Sequence, residues 1–177
     1  MRPILFASKC LGFGRCRWDG DTISDHFIES LKARVDFITA CPEMEIGLGV
    51  PRDPIRIVKD ADKLHLKSSG TGCDLSADMS RFTDKFLSSI GDIDGFILKA
   101  KSPSCGISDV KVYPRLGPCD AVARGHGFFG VEVLSRFSHL PVETEASLTN
   151  FKVREHFLVR IFASASLRDI KAKGNRA

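Results

Sequence analysis

The chain has 177 residues, enough for one domain with a single sizeable core, or one domain plus a tail. Its composition, 43% hydrophobic and 27% charged, is that of an ordinary globular protein, with no low-complexity segment and no internal repeat. The net charge of +4 is too mild to argue for nucleic acid by itself, and no run approaches the ~18 apolar residues that a membrane span needs.

The first apolar piece, Pro3-Ile4-Leu5-Phe6-Ala7, lacks the full h-region and cleavage site of a signal peptide and reads as a strand over residues 4–8, buried on both faces. The expected location is therefore the cytoplasm. A glycine-rich loop follows and closes on the turn Asp19-Gly20. Ser24 is a plausible N-cap for a short helix over residues 25–32, with Phe27, Ile28 and Leu31 on one side. Residues 35–40 form a second strand, which Pro42 ends because proline cannot continue a central ladder.

Residues 45–54 are a second Gly/Pro loop. The alternating runs 55–58 and 64–67, either side of Asp60-Ala61-Asp62, predict a small surface hairpin. Leu75, Met79, Phe82, Phe86, Leu87 and Ile90 recur at helical spacing, so residues 75–90 are a long amphipathic helix. A strand over 95–99 and an extended piece over 110–115 come next. Gly125-His126-Gly127 has the composition of a mobile lid, and Phe129, Val133 and Phe137 mark a helix over 128–137. Residues 139–143 read as a last short strand. Thr149 or Asn150 caps a final helix whose apolar face is Phe151, Phe157, Leu158, Ile161 and Phe162. Beyond about Ala165 there is no face to bury. The expected organisation is an α/β domain over residues 1–165 and a solvated basic tail over 166–177.

Strands alternate with helices, so the fold class is α/β: a Rossmann-like open, mostly parallel sheet flanked by helices, in a single domain. Right-handed crossovers put the loops after the strands on one edge. Cys10, Cys41 and Cys105 each follow a strand on such a loop, with Gly12, Pro42, Pro103 and Gly106 beside them. In a reducing compartment the six cysteines are metal-binding, catalytic or simply buried rather than disulfide-bonded, and no C-x-x-C pair occurs.

Burial as a small hydrophobe accounts for Cys73 and Cys119, which show no such pattern. Cys16 is intermediate, a spare thiol in the first loop. Three converging thiolates admit two readings. One is zinc, which needs a fourth ligand such as His126 or Cys16. The other is an iron–sulfur cube with one iron left open. Glu43, Ser102 and Ser104 lie near these cysteines in sequence as proton-transfer groups, and Lys99 and Lys101 add positive charge. Each has a plainer role available, Glu43 as an exposed carboxylate and Ser102 as a turn former. Spacing leaves zinc and cluster open.

Ser8-Lys9-Cys10-Leu11-Gly12, Arg17-Trp18-Asp19-Gly20, Cys41-Pro42-Glu43, Gly49-Val50-Pro51-Arg52, Thr71-Gly72 and Ser102-Pro103-Ser104-Cys105-Gly106 together resemble the thiouracil desulfidase family, formerly a bacterial domain of unknown function. The likeness runs over residues 3–141. Any one element is weak; the ordered set is specific. The resemblance implies a [4Fe-4S] cluster held by Cys10, Cys41 and Cys105. It also implies non-redox desulfuration of a thiolated pyrimidine such as 4-thiouracil to uracil and hydrogen sulfide. In this scheme the substrate sulfur meets the open iron, and Glu43 and Ser102 fall on the positions that the family uses in the chemistry, Glu43 as the base for water. A dry pocket would suit Glu43 in that role. The first loop departs from shorter members through Phe13-Gly14-Arg15-Cys16, and residues 148–157 resemble members in which a second domain follows.

Two rivals belong to other classes. One is a metal-stabilised binding module for thiolated RNA or protein partners, without turnover, in which Lys99, Lys101, Lys111 and Arg115 contact phosphate. The other is an enzyme with a single nucleophilic cysteine. The expected partner is a small thiolated pyrimidine; nucleic acid is not favoured, and no membrane partner is expected.

Overall fold

The structure is a computed structural model and describes residues 2–174. Its centre is a four-stranded parallel sheet of β1 (Ile4–Ser8), β2 (Asp36–Ala40), β5 (Gly95–Leu98) and β8 (Val142–Thr144), in the spatial order β2-β1-β5-β8. Phe6 of β1 pairs with Ile38 on one side and Phe96 on the other. Side chains alternate across a strand, and here both faces are covered. Phe6, Phe96 and Leu98 pack with Leu87, Phe129 and Val133 on one face. Leu5 and Ile97 pack with Ile28, Leu31, Phe157 and Ile161 on the other. That two-sided burial is why the strands read as unbroken apolar runs.

Among the described residues the α-helices are α1 (His26–Leu31), α2 (Pro42–Glu45), α3 (Ser76–Ser89), α4 (Phe128–Arg136) and α5 (Phe151–Gly174). The cap of α1 is Asp25 rather than Ser24, since its carboxylate accepts from the Ile28 N–H at 3.0 Å. Asn150, an expected cap, accepts from the N–H groups of Lys152 and Val153 at the start of α5. The buried stripe of α5 is Phe157, Ile161 and Ala165. Phe151 and Phe162 fall off that i, i+4, i+8 line and are exposed, contrary to the expected face. The helix continues past Ala165 to Gly174. Among the described residues nothing after Ala165 is buried, but Arg168 reaches back to the buried Asp94, at 2.8 Å. The end of the expected basic tail, with Arg176, lies outside the described residues.

A second sheet has the order β4-β3-β6-β7, from β3 (Ile55–Asp60), β4 (Lys63–Ser68), β6 (Val110–Tyr113) and β7 (Ala123–Gly125). The β3–β4 hairpin is the expected one, antiparallel from Ile55–Ser68 to Asp60–Lys63. It is more than a surface hairpin, because β6 adds parallel to β3 and β7 adds antiparallel to β6. Ile57, Leu66, Val110 and Val112 bury against Leu75 and Met79 of α3. So α3 is sandwiched, with Leu87 towards the central sheet and Met79 towards the second. Among the described residues, no helix is long and apolar enough to cross a membrane.

Candidate active site

The chain runs from β1 to β2 on one side, then returns to β5 on the other side of β1. The carboxyl ends of these strands therefore meet at a switch point, where open α/β sheets form a crevice. A cavity of about 200 Å³ lies there, lined by the loops after all three. Cys10, Cys41, Cys105, Glu43 and Ser102 all line it, and so do Cys16, Lys99, Lys101 and Ser104. Cys73 and Cys119 do not, and neither is buried as expected: Cys73 is exposed and Cys119 half-buried, both on polar loops. His126 does not line the cavity either; its Nδ1 lies against the Ile107 carbonyl. A zinc site completed by His126 is thus not formed. Among the described residues, no three His, Cys, Asp or Glu side chains close around one point as a single ion would require.

Each cysteine is placed by its own local device. Beyond β1 the chain turns at once, with the Leu11 N–H on the Ser8 carbonyl and Gly12 at φ +84°, a conformation that costs other residues strain. Cys41 is the N-cap of α2, a single turn with Pro42 at its first position, where proline loses no needed N–H. That turn was expected as a loop, and it sets Glu43 in the first turn of a helix. Cys105 sits in a loop that caps α4 with its carbonyls. Ser104 O accepts from Phe129 N and Gly130 N at 2.9 and 3.0 Å, and Pro103 O accepts from Phe128 N. This close docking requires glycine, since a Cβ on Gly127 would stand 2.4 Å from Ser104 O. Gly125-His126-Gly127 is therefore no lid: none of the three lines the cavity, and Gly127 backs the Cys105 loop.

Glu43 is held on both oxygens. Arg52 donates to Oε2 from Nε at 3.0 Å and from Nη2 at 2.6 Å, and the Ser104 hydroxyl donates to Oε1 at 2.9 Å. Arg52 also donates to the carbonyls of Gly49 and Cys16, at 2.7 and 2.9 Å, and so ties three loops together. Glu43 thus sits in a largely buried ion pair at the cavity wall rather than alone in an apolar pocket. Ser102 Oγ lies 2.9 Å from Ser104 Oγ and accepts from the N–H groups of Cys105 and Ser104, at 3.1 and 3.3 Å. At the rim, Arg17 pairs with Asp19 and holds that carboxyl down to about 2. Trp18 lies beside it, half exposed. Lys99 pairs with Glu145, which also accepts from the Ala100 N–H at 2.8 Å.

Residues 5–145 match the family described as 2-thiouracil desulfurase. The chain belongs to the 2-thiouracil desulfurase family. A solved structure described as the [4Fe-4S]-dependent thiouracil desulfidase TudS is similar at a TM-score of 0.65 and 26% identity, over 88% of this chain and 99% of its own. The uncharacterized protein YbbK of Bacillus subtilis (strain 168) is 28% identical over 112 residues, 58% of this chain and 73% of that protein.

Within this desulfurase-family chain the cavity thiols are electrostatically unsettled. Burial pushes Cys105 up to about 12, with the Cys41 and Glu43 charges adding to it. Giving its proton to a hydrogen bond with Cys10 pushes Cys16 up to about 11. Cys41 is raised as well, by its hydrogen bond to Cys16 and by burial. Thiols so placed hold their protons unless positive charge arrives, and a cationic metal group supplies it. Four thiols, Cys10, Cys16, Cys41 and Cys105, line this one cavity, and that donor set fits a thiolate-ligated group.

Arg52 and Glu145 carry no role in the sequence reading, and Ser104 figures there only as one of the proton-transfer groups near the cysteines, not as the partner of Glu43. Arg52 and Ser104 did stand inside the motif segments Gly49-Val50-Pro51-Arg52 and Ser102-Pro103-Ser104-Cys105-Gly106, which was the available signal.

Proposed function

We propose that this chain removes the exocyclic sulfur of a thiolated pyrimidine as sulfide, at a [4Fe-4S] cluster held by Cys10, Cys41 and Cys105. One observation carries this reading: three cysteines from three adjacent parallel strands line one cavity together with a fixed carboxylate. Family membership and the likeness to TudS support thiouracil desulfuration by an iron–sulfur enzyme. Bound through three protein thiolates, the cluster supplies a Lewis-acidic iron free to meet the substrate sulfur.

The protein's own groups do the rest. Arg52 donates twice to Oε2 of Glu43 and Ser104 once to Oε1, so the second lone pair of Oε1 is the one left to take a proton from water. That water replaces sulfur at the ring carbon. C=S and water become C=O and hydrogen sulfide, with no change in electron count. Ser102 lines the cavity and closes the loop turn that presents Cys105. Lys101 stands at the wall beside it, while the Lys99 charge is balanced by Glu145. Of the four residues that the phosphate-binding module would use, Lys99 and Lys101 line the cavity and Lys111 and Arg115 do not, so the four form no common patch there.

The decisive experiment is anaerobic purification with iron and sulfide analysis, followed by incubation with 2-thiouracil and 4-thiouracil. A brown protein with about four irons per chain, releasing uracil and sulfide without an electron donor, is the expected result. A colourless zinc protein, or turnover that requires a reductant, overturns it.

A further inference from the structure

We infer that Ser104 is the positioning residue that orients the Glu43 carboxylate and joins it to Ser102; this rests on the function proposed above. Ser102 makes no hydrogen bond to Glu43. It stands one hydroxyl away, at 2.9 Å from Ser104 Oγ, and Ser104 Oγ stands 2.9 Å from Glu43 Oε1. A serine hydroxyl has one hydrogen. Ser104 gives it to the carboxylate, so Ser104 accepts from the Ser102 hydroxyl. The lone pairs of Ser102 in turn receive two backbone N–H groups. Ser104 Oγ also lies 3.8 Å from Cys105 Sγ, but the carboxylate at 2.9 Å is the nearer and stronger acceptor, so donation runs from Ser102 to Ser104 to Glu43.

Ser104 has little freedom to do anything else. Its side chain is buried in a residue only 2% exposed. Its carbonyl is held by two N–H groups of α4, and Gly127 fills the space behind it. A buried serine that needed only a partner would ordinarily bond a backbone carbonyl of its own turn. Ser104 instead reaches a carboxylate 61 positions away in sequence, on α2. With Arg52 on Oε2, the Ser104 bond on Oε1 fixes the plane of the carboxylate, so its one remaining lone pair, on Oε1, has a set direction.

The test uses the cluster-loaded full chain with Ser104→Ala and Ser104→Thr. Ser104→Ala should lower kcat about 10- to 100-fold with KM little changed and iron content as in the wild type; Ser104→Thr, which keeps a hydroxyl, should recover most of the rate. In the cluster-free protein, the infrared carboxylate bands of Glu43, isolated by difference against Glu43→Gln, should shift in Ser104→Ala and not in Ser104→Thr. Wild-type kcat in Ser104→Ala, beside an inactive Glu43→Ala, overturns the inference and leaves the proposed function standing. Wild-type turnover by Glu43→Ala overturns the proposed role of Glu43 instead. Loss of iron from both Ser104 variants also overturns the inference, because Ser104 would then serve only the Cys105 loop.

Discussion

Arg52 donates from both Nε and Nη2 to one oxygen of Glu43, at 3.0 and 2.6 Å, and the side chains are only 6% and 13% exposed. A pair this buried gains little over an apolar substitute, but removing one partner strands the other charge. Arg52→Ala should therefore cost about 3 kcal/mol of stability, read as a lower thermal midpoint. It should also lower kcat, since Glu43 would lose its fixed orientation. An Arg52→Ala protein as stable and as fast as wild type would remove both roles.

The cysteines divide into groups with different expected behaviour. Changing any one of Cys10, Cys41 or Cys105 to Ser should abolish both iron loading and turnover. Cys73→Ser and Cys119→Ser should leave both unchanged, because neither residue lines the cavity. Cys16→Ser should retain about four irons under the three-ligand reading. A single nucleophilic cysteine would show a different pattern, with one variant inactive but fully loaded.

Cys105 predicts an alkaline weakness in the cluster-free protein. Its thiol is raised from an ordinary 9.0 to about 12. Between those values the folded chain holds a proton that the unfolded chain has lost. The stabilisation is complete below pH 9 and disappears as pH rises towards 12. Thermal midpoints measured from pH 8 upwards should fall, and Cys105→Ser should fall less steeply. The same protons must leave when the site is loaded, so reconstitution should be favoured by higher pH. Midpoints that decline equally in the two proteins would assign the slope elsewhere.

Asp94 tests stability apart from chemistry. It is 1% exposed, accepts from the Ile4 N–H at 2.8 Å and pairs with Arg168 at 2.8 Å. It lies at the starts of β1 and β5, away from the cavity at their ends. Asp94→Ala should cost about 3 kcal/mol in unfolding by denaturant, leaving kcat and iron content unchanged in the folded fraction. A change in kcat at full iron loading would contradict that separation.

The sequence by itself determined the features that local pattern controls. Unbroken apolar runs at residues 4–8 and 95–98 carried the parallel sheet, because strands buried on both faces show no polar alternation. The spacing of Met79, Phe82, Phe86 and Leu87 carried α3, and cysteines just past three strands carried the candidate site. Only the tertiary structure decided the rest. The second sheet depends on β6 finding β3 across more than fifty residues, a pairing that no local window contains. The single turn of α2 is too short for periodicity to mark, yet it aims Glu43. The partners of Glu43, Arg52 and Ser104, come from separate loops that meet only when the strand ends converge. Hydrogen-bond direction between Ser102 and Ser104 follows from counting protons at short range, which needs distances rather than residue order.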